Sequence, residues 1–367
     1  MPLNENIFIH AVAGSGKTTY LVELALQAPD KKILITTYTN KNTQEIEAKI
    51  KQLKGFIPKN IKIASWFSFL LNDGCRPYQK LAGINSRIND VQLVVRQSAP
   101  YVRESDTKRY YFNSNDAIYS DKISQFVVKC NVRSGGKVLD RIEKCYDYIF
   151  IDESQDFSGW DFDFLDLLLQ SRCKLLIVGD KRQTTFNTTP SNKNRKYSED
   201  IHLWFEDKQK QGLGTLQYIN KCWRCNEYIC RFADLLFPDL PPSEPRELIE
   251  GLSHKGLYYL KKSKLDEYMQ IYSPTILVYN KLAKKHVCNY PALNWGNSKG
   301  TTLERTLIVL TQPVLKYLKS GDLSEIKDKD KFYIALTRAK HSIAFLLEDK
   351  ENLSLFHFEN IKEWVPD

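Results

Sequence analysis

The 367-residue chain has no stretch of about 18 apolar residues free of charge, and no basic start followed by an apolar core. Membrane spanning and secretion both lack their signals, so a cytoplasmic location is expected. No internal repeat recurs at a period of about 20 to 50 residues, which argues against solenoids and propellers. The eight cysteines, at 75, 130, 145, 173, 222, 225, 230 and 288, are scattered and form no disulfide framework. Cys222 and Cys225 make a CxxC with Cys230 beyond it. Zinc there would need a fourth ligand, Cys288 or His286, and buried helix thiols are the alternative reading.

What is present is the composition of a globular protein. Apolar residues make up 42% and aromatic residues 12% of the chain, which excludes disordered, collagen-like and coiled-coil classes. Lys and Arg total 53 against 44 Asp and Glu, a formal charge of +9 that mildly favours polyanions. Short apolar β-type runs alternate with helical patterns near the start: strands over 7–12, 32–38 and 61–65, helices over 17–27 and 40–54. This alternation predicts a parallel sheet flanked by helices. It breaks off at about Cys75, resumes with strands over 146–152 and 174–180, and so predicts an insert over 75–145. A second alternating region has strand candidates over 275–279, 305–310 and 342–347. The polar segment 187–200 reads as an exposed loop carrying Lys193, Arg195 and Lys196.

The strongest chemical signal is AVAGSGKTT, residues 11–19, between the first strand and the first helix. A nucleoside triphosphate needs backbone N–H groups curled round its phosphates, a cation near the γ-phosphate and a hydroxyl for Mg²⁺. Ala13, Gly14, Ser15, Gly16, Lys17, Thr18 and Thr19 offer these, with Ala11 where the usual pattern has its first glycine. The second signal is IFIDESQD, residues 149–156, in which a buried strand delivers Asp152 to a metal at its C-terminal end and places Glu153 to polarise water. A chance GKT and a surface acidic cluster are the bland alternatives, and the strand context of both motifs speaks against them.

These motifs stand in order with TTYTNKNTQEIEAKI (36–50), VGDKRQTTF (178–186), NKCWRCNEYI (220–229), NSKGTTLERTLIVL (297–310) and YIALTRAKHSI (333–343). The series resembles that of superfamily 1 DNA helicases of the UvrD/Rep branch. The resemblance implies an α/β P-loop NTPase with two RecA-like parallel-sheet domains. The first would cover 1–74 and 146–214 with a reduced insert at 75–145, and the second would cover 215–367. It assigns Gln183 to sensing the γ-phosphate, and Arg224 and Arg338 to reaching that phosphate from the second domain, where a guanidinium fork suits phosphate oxygens. Tyr38, Thr39 and Asn40, with Ser65, Trp66 and Phe67, match segments that meet single-stranded DNA, although Trp66 reads equally well as a core residue. Ser298 and Lys299 would contact the DNA backbone.

Some positions depart from the family pattern. The upstream glutamine segment that reads adenine has no counterpart. Thr302 replaces the Glu that meets ribose, with Glu304 as a possible substitute, and Thr188 stands where the family has a stacking tryptophan, so Phe186 or the basic loop after it is the replacement candidate. Only about twenty residues, 280–297, occupy the place of the second large insert domain. The resulting expectation is an ATP- and Mg²⁺-dependent translocase or helicase on single-stranded or tailed DNA, moving 3′ to 5′, with ATP held between its domains. Two rivals stand beside it: a DNA-sensing ATPase subunit that regulates a partner nuclease, for example in phage defence, and a nucleic-acid-binding protein with an inactive P-loop.

Overall fold

The structure is a computed structural model that describes residues 3–184, 193–247, 254–287, 289–351 and 357–366. The chain divides into two compact units, Met1–Ala11 with Lys17–Tyr218 and Val12–Gly16 with Ile219–Asp367.

The first unit holds a six-stranded sheet. Its strands are β1 (Ile7–Ala11), β2 (Ile33–Thr37), β3 (Ile61–Ser65), β4 (Tyr148–Ile151), β5 (Lys174–Gly179) and β6 (Thr215–Ile219), in the order β3-β2-β4-β5-β1-β6. The pairs β1–β5, β2–β3, β2–β4 and β4–β5 are parallel. Strands β2 and β4 are buried throughout, as a sheet covered on both faces requires. Helix α1 (Lys17–Leu26) follows β1 directly, and helix α2 (Asn40–Lys54) follows β2. Thr39 caps α2 by accepting the Asn42 N–H at 3.2 Å, and Gly55 ends it with a φ of 85°. The sequence reading puts Thr215–Ile219 at the head of the second domain, whereas this strand is an edge of the first sheet.

The 75–145 segment is not a separate body with its own core. Its Ile88, Tyr111, Ile118, Phe126, Val127 and Cys130 share one apolar cluster with Trp66, Phe69, Phe164 and Leu168. Helix α3 (Ile123–Arg133) packs on both α4 (Trp160–Leu169) and the π-helical turn Leu70–Cys75. Within the expected polar loop, Arg195–Glu199 forms a short helix.

The second unit holds a six-stranded parallel sheet of β7 (Gly256–Lys261), β8 (Thr275–Val278), β9 (Ala292–Asn294), β10 (Leu303–Val309), β11 (Ala339–Leu347) and β12 (Ile361–Glu363), in the order β9-β8-β10-β11-β7-β12. Three of these lie where the sequence places strands. Three were missed: the six-residue β7, which lies inside the sheet, and β9 and β12, which are three residues each, sit at the edges and are too short for alternation to be read. Among the described residues, a 3₁₀ segment, Lys281–Val287, the strand β9 and a short turn lie between β8 and β10.

Candidate functional site

The site of the first unit grows from the C-terminal ends of parallel strands, where backbone and helix ends leave polar groups facing out. Just before Lys17 in the chain, Gly14 and Gly16, which group with the second unit, have φ values of 72° and 80°, which the curled phosphate loop demands and a side chain resists. Helix α1 begins at Lys17 with no acidic residue in its first turn, so its positive end is left for an anion. Thr18 Oγ1 donates to Asp152 Oδ2 at 2.6 Å, and Lys17 Nζ stands 3.3 Å from Glu153 Oε1. The two motifs therefore meet through two side-chain contacts.

Burial drives the Asp152 carboxyl up to about 6, and the adjacent Glu153 charge adds to this, against the opposing pull of Lys17 and the Thr18 hydrogen bond. Two carboxylates and a hydroxyl short of positive charge are the donor chemistry that fits Mg²⁺. Glu153 itself adopts a left-handed backbone, φ 58° and ψ 41°, which costs about 1 kcal/mol or more for a residue with a Cβ. The Glu153 N–H is held by Asp152 Oδ1 at 2.9 Å, so the backbone strain falls at the residue whose carboxylate is expected to handle water.

From Glu153 a buried polar chain runs on. Gln155 Nε2 donates to Glu153 Oε2, and Gln155 Oε1 accepts the Asp180 N–H at 3.1 Å. Asp180 Oδ2 accepts from Gln183 Nε2 at 2.7 Å, while its Oδ1 accepts the backbone N–H and Nε of Arg182, both at 3.2 Å. Burial pushes the Asp180 carboxyl up, but Arg182, His10, Lys17 and the Gln183 hydrogen bond together outweigh it and hold it below its ordinary value. Gln183 is thus linked to Lys17 through three intervening residues, Asp180, Gln155 and Glu153, with the Asp180 backbone N–H as one of the links. Sequence reasoning missed Gln155, Asp180 and Arg182. The signal was their place inside the DESQD and GDKRQ motifs.

The expected DNA segments gather round a groove of about 600 Å³ lined by Tyr38, Thr39, Asn40, Ser65 and Phe67, with Val91, Leu93 and Val94 of the 75–145 segment on its wall. Tyr38 packs edge-on against Phe67 at 5.1 Å between ring centroids. Trp66 does not belong to that wall. Its ring is fully buried against Phe69, Phe157 and Phe164, and its N–H donates to Asp161 at 2.8 Å, so this tryptophan is core and unavailable to a base. Phe186 and Thr188 lie outside the described residues.

Within the second unit, Val12–Gly16 pack with the CWRC segment. The Trp223 N–H donates to Gly14 O at 2.9 Å, and a Cβ at Gly14 would fall 2.6 Å from Arg224 Cβ. Arg224 donates to Thr302 Oγ1 and Thr337 O, each at 3.0 Å. Arg338 is 1% exposed and donates from Nε to Ile334 O at 3.0 Å and from Nη2 to Thr337 Oγ1 at 3.2 Å. Both guanidinium groups are therefore fixed around Thr337. Ser298 is buried with its hydroxyl donating to Trp295 O at 2.6 Å, while Lys299 is half-buried. Ser298 cannot offer that proton to DNA while it is so engaged. Glu304, the candidate for the ribose, accepts instead from Lys340 at 2.6 Å and pairs with His341 at 2.7 Å, contacts that lower its carboxyl.

The zinc reading fails among the described residues, where no group of three or more His, Cys, Asp or Glu is arranged to hold a metal. Cys222, Cys225 and Cys230 are buried thiols in the apolar cluster of the second unit, His286 pairs with Glu348 at 2.6 Å, and Cys288 lies outside the described residues. Among the described residues no helix is long and apolar enough to cross a membrane.

Two RecA-like parallel sheets, with a phosphate loop that meets an acidic strand end, define a P-loop NTPase. A family model described as an AAA domain, of the UvrD-like helicase kind, matches residues 3–188, just over half of the chain, and the chain belongs to that family. It is 21% identical over 294 residues to a probable DNA helicase II homolog of Mycoplasma capricolum, covering 62% of this chain and 40% of that protein. It is 30% identical over 191 residues to the Gabija protein GajB of Bacillus cereus, covering 49% of this chain and 38% of that one. The chain spans about two fifths of the length of these relatives. A solved arterivirus helicase, nonstructural protein 10, aligns at 12% identity with a TM-score of 0.49, covering 96% of this chain and 62% of that one. Nucleotide dependence, usually with Mg²⁺, is a property of the family.

Proposed function

We propose that this chain hydrolyses ATP with Mg²⁺ and uses the cycle to move along single-stranded DNA in the 3′ to 5′ direction. The observation that carries the reading is the meeting of Lys17 and Thr18 with Glu153 and Asp152 at the ends of β1 and β4. Thr18 and Asp152 are the residues that would hold Mg²⁺, which supplies charge neutralisation on the phosphates. Lys17 answers the γ-phosphate, Glu153 orients and polarises the attacking water, and Gln183 reports the phosphate through Asp180 and Gln155. Arg224, beside Gly14, and Arg338 are the guanidinium groups assigned to the charge that develops on the departing phosphate. Tyr38 and Phe67 offer faces on which any base can stack, with Thr39, Asn40 and Ser65 for the backbone.

Lys17→Ala is the test. ATP hydrolysis should fall by at least about a hundredfold with the thermal midpoint little changed, because one cation near the transferred phosphate is lost and no core contact is. Full turnover by a folded Lys17→Ala protein would remove the site assignment.

A second reading is favoured by one feature, the short β8–β10 connection that leaves no second insert domain. In it the chain senses DNA, hydrolyses ATP and licenses a partner such as a nuclease without separating duplexes. A tailed-duplex displacement assay decides. DNA-stimulated hydrolysis with no displaced strand selects the sensor.

A further inference from the structure

We infer that His10 is a positioning residue for Gln183: its imidazole stands beside Asp180 as the donor that takes over when the Gln183 amide leaves that carboxylate for the nucleotide. The inference rests on the phosphate-sensing role proposed for Gln183. His10 lies on β1, two residues before the phosphate loop, and pairs in register with Gly179, the neighbour of Asp180. The ring is fully buried, and among the described residues neither of its nitrogens has a hydrogen-bond partner. A buried polar group left in that state is rare and calls for a reason.

Its surroundings supply one. Nε2 is 3.9 Å from Asp180 Oδ1, too far for a hydrogen bond and within about one ångström of making one. Of the other polar groups near the ring, the Tyr218 hydroxyl and His202 Nε2 engage each other, and His202 Nδ1 is buried without a hydrogen-bond partner among the described residues. His202 lies edge-on at 5.4 Å between centroids, Tyr218 lies at 5.9 Å, and the Tyr218 hydroxyl is 3.1 Å from His202 Nε2. Burial first, with Arg182, His202 and Lys181 adding, lowers His10 to about 4 against the pull of Asp180, so the ring is neutral and carries one N–H to donate.

In the structure Asp180 is satisfied by Arg182 and Gln183. A buried carboxylate does not readily give up a donor, which would hold Gln183 away from the phosphate. A waiting imidazole removes that obstacle, since a small approach of β1 to Asp180 satisfies His10 and the carboxylate together. The phosphate loop begins two residues after His10, so occupancy of the loop and the exchange at Asp180 share one strand.

The test uses the full chain with His10→Leu and His10→Gln, and follows histidine ring nitrogens by NMR with Mg²⁺ and a non-hydrolysable ATP analogue. His10→Leu also assigns the His10 signals by their absence. His10→Leu should lower kcat for DNA-stimulated hydrolysis by about tenfold with KM for ATP changed less than about twofold, and His10→Gln, which retains a donor, should recover most of it. The His10 nitrogens should shift when the analogue binds and stay still in Gln183→Ala. Wild-type turnover by His10→Leu, equal loss in the two variants at equal stability, or an unmoved ring at saturating analogue would each overturn the inference. The NMR reading needs binding alone, which separates the two ideas. A chain that binds, shifts His10 and does not turn over retires the hydrolysis reading, whereas turnover with an unmoved ring retires only the role of His10.

Discussion

Tyr38 and Trp66 each sit one residue past a strand of the same sheet, β2 and β3, and burial gives them opposite work. Tyr38 is half-buried on the groove wall, while Trp66 is enclosed and spends its N–H on Asp161. Tyr38→Ala should cost about 1–3 kcal/mol of single-stranded DNA binding with little change in thermal midpoint. Trp66→Phe should do the reverse, losing about 1–3 kcal/mol of stability by stripping a donor from buried Asp161, with DNA affinity unchanged. Fluorescence titration with an oligonucleotide and urea melts of both variants check this pair. His10 carries a pH dependence whose sign follows from its lowered value. The folded ring resists protonation until about 4 and the unfolded ring takes its proton at about 6.5, so stability present above 6.5 is lost as pH falls through that window. The loss is at most about 3 kcal/mol. His254, also lowered to about 4 by burial, adds to it. Urea melts of His10→Leu between pH 7 and 4 should therefore show a shallower acid limb than wild type, not a flat one.

At the scale of elements, the 75–145 segment is tied to the NTPase sheet by close helix packing. A Cβ at Gly74, in the π-helical turn, would come within 2.7 and 2.8 Å of the two Val127 methyls on α3. Gly74→Ala should thus destabilise the protein by about 1–3 kcal/mol through overpacking, while hydrolysis per folded molecule stays at the wild-type rate. A chemical melt alongside a phosphate-release assay measures both. Gly179 shows the same principle at the site. A Cβ there would collide with Ser154 Oγ and come within 3.2 Å of Gln155 N, so only glycine at the end of β5 lets the DESQD turn come close enough for Gln155 to reach Asp180. The strand-loop-helix elements were legible because their apolar runs and turn residues are local. The role of the 75–145 segment was not, since its helices carry polar faces and find their apolar partners only across the fold.

For the molecule as a whole, charge is unevenly placed along the chain. Residues 75–145 hold 13 Lys and Arg against 7 Asp and Glu, so 13 − 7 = +6 of the total +9 lies in that segment. Arg87 and Arg96 are exposed there. The double variant Arg87→Glu with Arg96→Glu should weaken single-stranded DNA binding and flatten its salt dependence by a log–log slope of about 0.7 per lost phosphate contact. Titrations at several salt concentrations test it, and an unchanged slope would place the polyanion elsewhere. The residues by themselves determined the class of protein. A phosphate loop after a strand, an acidic pair at another strand end and an ordered motif series are written in short stretches, because backbone curvature and metal-ligand chemistry demand particular residues side by side. Tertiary structure alone decided that Trp66 is core, that Ser298 and Glu304 are occupied by neighbours, and that Gln155, Asp180 and Gln183 form one buried chain with His10 beside it. Those outcomes depend on desolvation and on contacts between residues far apart in sequence, and neither leaves a local mark.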